Sequence, residues 1–112
     1  MGRKRVYERY KHPYSLVTMV EAIVADYPRR ERVIKYSSED EAIITEYSRI
    51  NSIIDEMVNV LESELAEIIK DDIVNRVGYE RSRAALFAAK KTYYRRKSML
   101  IHDIAKGLLL IS

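Results

Sequence analysis

Three lysines and two arginines crowd the stretch Lys90, Lys91, Thr92, Tyr93, Tyr94, Arg95, Arg96, Lys97, and Met99 follows closely. A guanidinium can hold a guanine edge through two hydrogen bonds, and lysine ammonium groups neutralise phosphates. Wound as a helix of about 3.6 residues per turn, the segment puts Thr92, Arg95, Arg96 and Met99 on one side, with Lys91 flanking them. Ile101, Ile104, Ala105 and Leu108 gather on the other side, with Tyr94 at the border. Cations at the start of a helix oppose its dipole, so a requirement for anions would account for them. The plain alternative is a solvated face in a chain rich in Lys and Arg. The chemistry expected is recognition of double-stranded DNA. Arg95 and Arg96 enter the major groove, Thr92 and Met99 lie beside them, and Lys90, Lys91 and Lys97 contact flanking phosphates. Arg3, Lys4 and Arg5 add a loose grip as an arm.

Other chemistries find little to work with. The two histidines, His12 and His102, have no Glu three residues before them and no second His at ligand spacing, so zinc and carboxylate-bridged metal sites are not expected. Cysteine is absent, which removes disulfides and thiolate catalysis and fits a reducing cytosol. No Gly-rich phosphate loop can be built from three glycines. Asp71 and Asp72, like Glu62, Glu64 and Glu67, read as a solvated acidic face. The expectation is a protein without catalytic residues, metal or cofactor, and not an enzyme.

Charge is sorted along the chain. Residues 1–36 carry a net +5, residues 37–72 a net −9 and residues 73–112 a net +7, within a total of +3. An acidic middle between two basic ends points to an anionic partner. The acidic part can also rest against the basic ends and mask them, although ordinary solubility from a charged helix face explains it as well.

The elements that must position these residues read as all-α. One domain is expected at 112 residues, and only three Gly and two Pro punctuate it. Residues 1–14 form a basic arm interleaved with Tyr7, Tyr10 and Tyr14. Pro13 breaks any helix there and Ser15 caps a new one, which runs over 15–27 on Leu16, Met19, Val20, Ile23, Val24 and Tyr27. Pro28 ends it. Ser38 to Glu41 reads as a capping box. Ile43, Tyr47, Ile50, Ile54, Met57 and Leu61 then recur in alternating steps of four and three, a coiled-coil seam suited to dimerisation. The core face of a monomeric bundle is the equal alternative.

A four-residue stutter at Leu65 follows, and the helical pattern continues to Val77, with Gly78 as its C′ residue. Unbroken, 39–77 would span roughly 58 Å, so a bend near Glu62–Glu64 or a partner along the seam is expected. Residues 15–77 thus make the helical core or dimerisation part, and 78–112 the DNA-binding part. There, Ser82 caps a short Ala-rich helix, and Thr92 caps a final helix to about Leu109. No turn signal separates Ala84–Ala89 from Thr92, so 82–109 forms either two helices or one.

The C-terminal segment resembles the ArpU/RinA-type late transcriptional regulators of phages, whose C-terminal part is similar to region 4 of sigma factors. Lys91 to Lys97, followed by Ile101 and by Ile104, Ala105 and Lys106, looks like that family's recognition helix and its inner face. Val20–Glu21 through Tyr27–Pro28, with Val33–Ile34, looks like its first helix and turn. At the turn before the recognition helix this chain has Phe87, Ala88 and Ala89 where the family pattern has a small residue, an apolar one and Ser. The resemblance implies a C-terminal helix-turn-helix that binds phage promoter DNA and activates late genes.

The expected partners are therefore double-stranded DNA, RNA polymerase and a second copy of the chain. No apolar run approaches the roughly 20 residues that cross a bilayer, and no signal segment opens the sequence, so a cytoplasmic location without membrane is expected. The alternative is a helical interaction module, a coiled-coil adaptor or antagonist whose basic ends grip an acidic protein.

Overall fold

The computed structural model describes residues 11–37, 40–61 and 63–111, and every regular element among them is helical. Residues 1–10 of the basic arm, with Arg3, Lys4 and Arg5, lie outside the described residues, as do Ser38, Glu39 and Glu62. Helix α1 spans Tyr14–Ala25 and α2 spans Tyr27–Tyr36. Pro13, not Ser15, occupies the N-cap of α1, and its carbonyl accepts from the Leu16 and Val17 amides. Proline can do this because it lacks only the donor.

Pro28 has the opposite role from the one its sequence suggests. α1 stops at Ala25, and Pro28 sits in the first turn of α2, where a missing N–H costs nothing. The chain therefore turns at Asp26 and resumes as a helix at once. α2 packs chiefly on α3, which spans Glu41–Val60. The described N-cap of α3 is Asp40, whose carboxylate accepts from the Ala42 amide at 2.7 Å, so Glu41 opens the helix instead of closing a capping box.

The single helix expected over 39–77 is two. α3 ends at Val60, and α4 spans Glu64–Asn75. The Ser63 hydroxyl starts α4 by accepting from the Leu65 amide at 3.1 Å, and Glu64 and Glu67 in its first turn suit the helix dipole. The break falls at the stutter, where a continuous helix would have carried its apolar stripe out of line. α4 instead lays Leu65, Ile68, Ile69 and Ile73 against α1 and the last helix. At its far end Arg76, with φ 56°, takes the left-handed position expected of Gly78, and the Val77 amide closes back on the Asp72 carbonyl at 2.8 Å.

Residues 76–89 then form a connection with two short 3₁₀ turns, Tyr79–Arg81 and Arg83–Leu86, the second capped by Ser82 as expected. Helix α5 spans Lys90–Gly107. Its N-cap is Ala89, which offers no side-chain bond, so Thr92 lies inside the first turn and does not cap it. The 82–109 segment is thus a 3₁₀ turn and one helix. A compact helix-turn-helix, whose turn is about 3–4 residues, is not what links α4 to α5.

The core is shared by α1, the second half of α3, α4 and α5, with Val20, Val24, Ile54, Ile69, Leu100 and Ile104 all fully buried. Two polar clusters fix the helices around it. The buried Arg30 of α2 donates to Asn51 Oδ1 at 2.7 Å and to the Ile23 carbonyl, while Asn51 donates to the Tyr27 carbonyl at 3.3 Å. Tyr27 donates to the Asp55 carboxylate at 2.9 Å, and Lys70 lies 3.9 Å from the Tyr27 ring centre and 3.4 Å from Asp55. Gly107 permits the closest approach of α5 to α3, since a Cβ there would stand 2.8 Å from Ile53 Cγ2.

Candidate nucleic-acid interface

α5 is anchored first by aromatic packing. Tyr93, which apolar periodicity does not mark as core, is 1% exposed, while its neighbour Tyr94 is at the surface. The Tyr93 hydroxyl donates to Asp72 Oδ2 at 2.7 Å. Burial, then this bond, pushes the hydroxyl well above the ordinary tyrosine range. Tyr79 meets the Tyr93 ring edge-on at 5.3 Å between centres, and Tyr93 meets Tyr94 at 5.2 Å. The Tyr79 hydroxyl also donates to the Ala88 carbonyl at 2.6 Å, which ties the 76–89 connection to the start of α5.

On this anchored helix the seven residues singled out for DNA do not all share one face. Lys91 and Arg95 are exposed, and Thr92, Arg96 and Met99 are half-buried along the flank. Among the described residues Lys91, Arg95 and Arg96 make no ion pair. Lys90 is exposed but bonded to Glu80 at 2.8 Å, which raises the lysine pKa and lowers that of the glutamate. Lys97 turns the other way, toward α1, and reaches Glu21 at 3.2 Å. Its helical position places it nearer Ile101 and Ile104 than Arg95, so it lies along the core rim. From Arg76 to Lys97 the chain has eight Lys/Arg and one acid, Glu80.

The inner face is as expected in part. Ile101, Ile104 and Ala105 are buried and Leu108 packs against the core, joined by Leu100 and Tyr93, which the helical stripe alone leaves outside it. His12 Nε2 lies 2.9 Å from His102 Nδ1, so the segment before α1 is fastened to the middle of α5. No local spacing could have paired residues so far apart in sequence.

The seam on α3 turns inward. Ile54 is fully buried within the chain, and Ile50, Met57 and Leu61 pack against the same core. Tyr47 is half-buried beneath Arg29, whose guanidinium stands 5.2 Å from the ring centre, and Ile43 alone of the six is exposed. The connection before α5 shows the reverse. Leu86 and Phe87, expected within an Ala-rich helix, are 88% and 58% exposed, beside exposed Arg81 and Arg83.

Among the described residues no cluster of three or more His, Cys, Asp or Glu could hold a metal ion, and no helix is long and apolar enough to cross a membrane. No protein-family model, curated protein or solved structure matches the chain.

Proposed function

We propose that the chain is a sequence-specific DNA-binding regulator of transcription that reads duplex DNA with the outer side of α5. The observation that carries this reading is the placement of Lys91, Arg95 and Arg96. They are cations without an ion-pair partner among the described residues, on a helix whose opposite side is fixed by the core. They stand in a segment with eight basic residues and one acid, which favours a polyanion. Arg95 and Arg96 read base edges and Lys91 holds phosphate. Lys90 and Lys97 contribute only by leaving Glu80 and Glu21. The resemblance to phage late-gene activators supplies the biological setting, activation of late promoters in a bacterial host with contact to RNA polymerase.

Pairing of two copies would suit two half-sites on DNA. It would use Tyr36, at the end of α2, and Ile43, in the first turn of α3, because Ile54 is occupied by the chain's own core.

The test is a mobility-shift titration against genomic fragments at several salt concentrations. Arg95→Ala with Arg96→Ala should relax sequence preference, by about 1–3 kcal/mol for each bidentate Arg–base pair removed. Lys91→Ala should weaken binding to all sequences and flatten the salt slope. Unchanged affinity and preference in the folded double variant would overturn the reading. The helical interaction module would then take its place.

A further inference from the structure

Leu86 and Phe87 pose a question that the basic face of α5 does not answer. They are large apolar side chains standing 88% and 58% exposed at the end of a 3₁₀ turn, and the turn is held firmly. Ala84 within it is fully buried, and Ser82 accepts from the Ala84 amide at 3.0 Å. The Phe87 and Ala88 amides both close on the Ala84 carbonyl, and Tyr79 fastens the Ala88 carbonyl from the other side. The pair is therefore presented from a built turn, and exposing it opposes the usual burial of such groups.

Its surroundings identify what could cover it. Arg81 and Arg83 precede it, Lys90 and Lys91 follow it, and all four are exposed. Phe87 lies three peptide units before Lys90, so its Cα stands within about 11 Å of the first residue of α5. The start of a helix that enters the major groove lies against base edges, and that groove carries one apolar group, the C5 methyl of thymine. An apolar pair ringed by cations, at the mouth of a DNA-reading helix, fits that methyl and the phosphates beside it. An anionic membrane surface would meet the same charges. Two side chains are a small apolar face for membrane anchoring, however, which draws on extended faces or acyl chains.

We propose that Leu86 and Phe87 contact thymine methyl groups in the major groove and add a preference for thymine beside the site read by α5. The proposal rests on the DNA-binding reading above. The probes are two duplexes, alternating dA–dT and the same duplex with uracil in place of thymine, which lacks only the methyl. The intact chain should bind the thymine duplex more tightly, by about fourfold for each methyl it covers. Leu86→Ala with Phe87→Ala should bring the two affinities together while leaving the salt slope unchanged. Both side chains are at the surface, and helical dichroism equal to that of the unaltered chain verifies the fold.

Equal binding of the two duplexes by the intact chain overturns the proposal, as does discrimination that survives in the double variant. In both cases the DNA-binding reading stands. No binding to either duplex at low salt, or to genomic fragments, overturns both. Binding to phosphatidylserine-containing vesicles that the double substitution abolishes, with thymine discrimination absent, assigns the pair to a membrane surface and also overturns it.

Discussion

His12 and His102 face each other at 2.9 Å, Nε2 to Nδ1, with their rings 10° from parallel. One ring donates and the other accepts, so at least one is neutral. This contact joins the segment before α1 to the side of α5, beside a depression that His12 lines with Lys11, Glu21, Tyr94 and Lys97. His102→Ala should loosen residues 11–13 and speed tryptic cleavage after Lys11, with little change in global stability. Cleavage at an unchanged rate would show that the pair holds nothing in place.

The Tyr93–Asp72 bond makes a second prediction. Tyr93→Phe removes the donor to a buried carboxylate and should cost about 2 kcal/mol, read from chemical denaturation. Burial, then hydrogen bonding to a carboxylate, raises both Tyr93 and Tyr27 above the ordinary tyrosine range. A raised folded value means that the folded chain holds the proton more tightly. The associated stability is intact below about pH 10 and is lost as pH climbs through the raised values. In an alkaline titration followed by phenolate absorbance, these two should ionise last and together with unfolding. Early ionisation of either, with the fold intact, contradicts the assignment.

Arg30 should be among the costliest polar positions. Arg30→Ala strands Asn51 Oδ1 and the Ile23 carbonyl beneath α2, and we expect a drop in stability of about 3 kcal/mol. Amide exchange should show α2 opening ahead of α4. A drop below about 1 kcal/mol, the range of surface pairs, would mean that Arg30 does not pin α2 to α3.

Gly107→Ala tests the contact between α5 and α3. A Cβ at this position meets the stiff β-branched Ile53 at 2.8 Å and the Met57 methyl at 3.1 Å. Overpacking of this kind costs about 1–3 kcal/mol, despite the better helix propensity of alanine. Ile53→Ala in the same chain should recover part of that stability. If Gly107→Ala stabilises the protein, α5 does not approach α3 so closely.

The apolar rhythm of the sequence carries much of the fold. The stripe from Leu16 to Val24 and the step from Leu61 to Leu65 mark α1 and the point where α3 gives way to α4. What it misses depends on groups far apart in the chain. α2 is hidden because Pro28 reads as a stop, while its fixed φ serves equally well as a start. Arg30 is buried by Asn51, a partner that no local pattern announces. Tyr93 and Tyr94 are alike in sequence, and only Asp72 across the core decides which of them goes inside. On the candidate interface, Lys91 and Arg95 project as the helical wheel expects. The pairing of Lys90 with Glu80 and Lys97 with Glu21 comes from tertiary placement alone.

Those two ion pairs change the arithmetic of counterion release. A lysine already neutralised within the molecule must surrender one anion to gain another, so its transfer to a phosphate draws little net free energy from the DNA's ion atmosphere. Within the 90–97 stretch of α5 three cations, Lys91, Arg95 and Arg96, stand outside such exchanges among the described residues. At about 0.9 per phosphate neutralised, a helix-only footprint in which Lys91 alone holds phosphate would have a logarithmic salt slope near −1, shallower than the five basic residues of 90–97 would suggest. On the proposed DNA-binding reading, Glu21 and Glu80 would act as resident competitors, shortening the residence of the helix on arbitrary DNA and leaving discrimination to the bases.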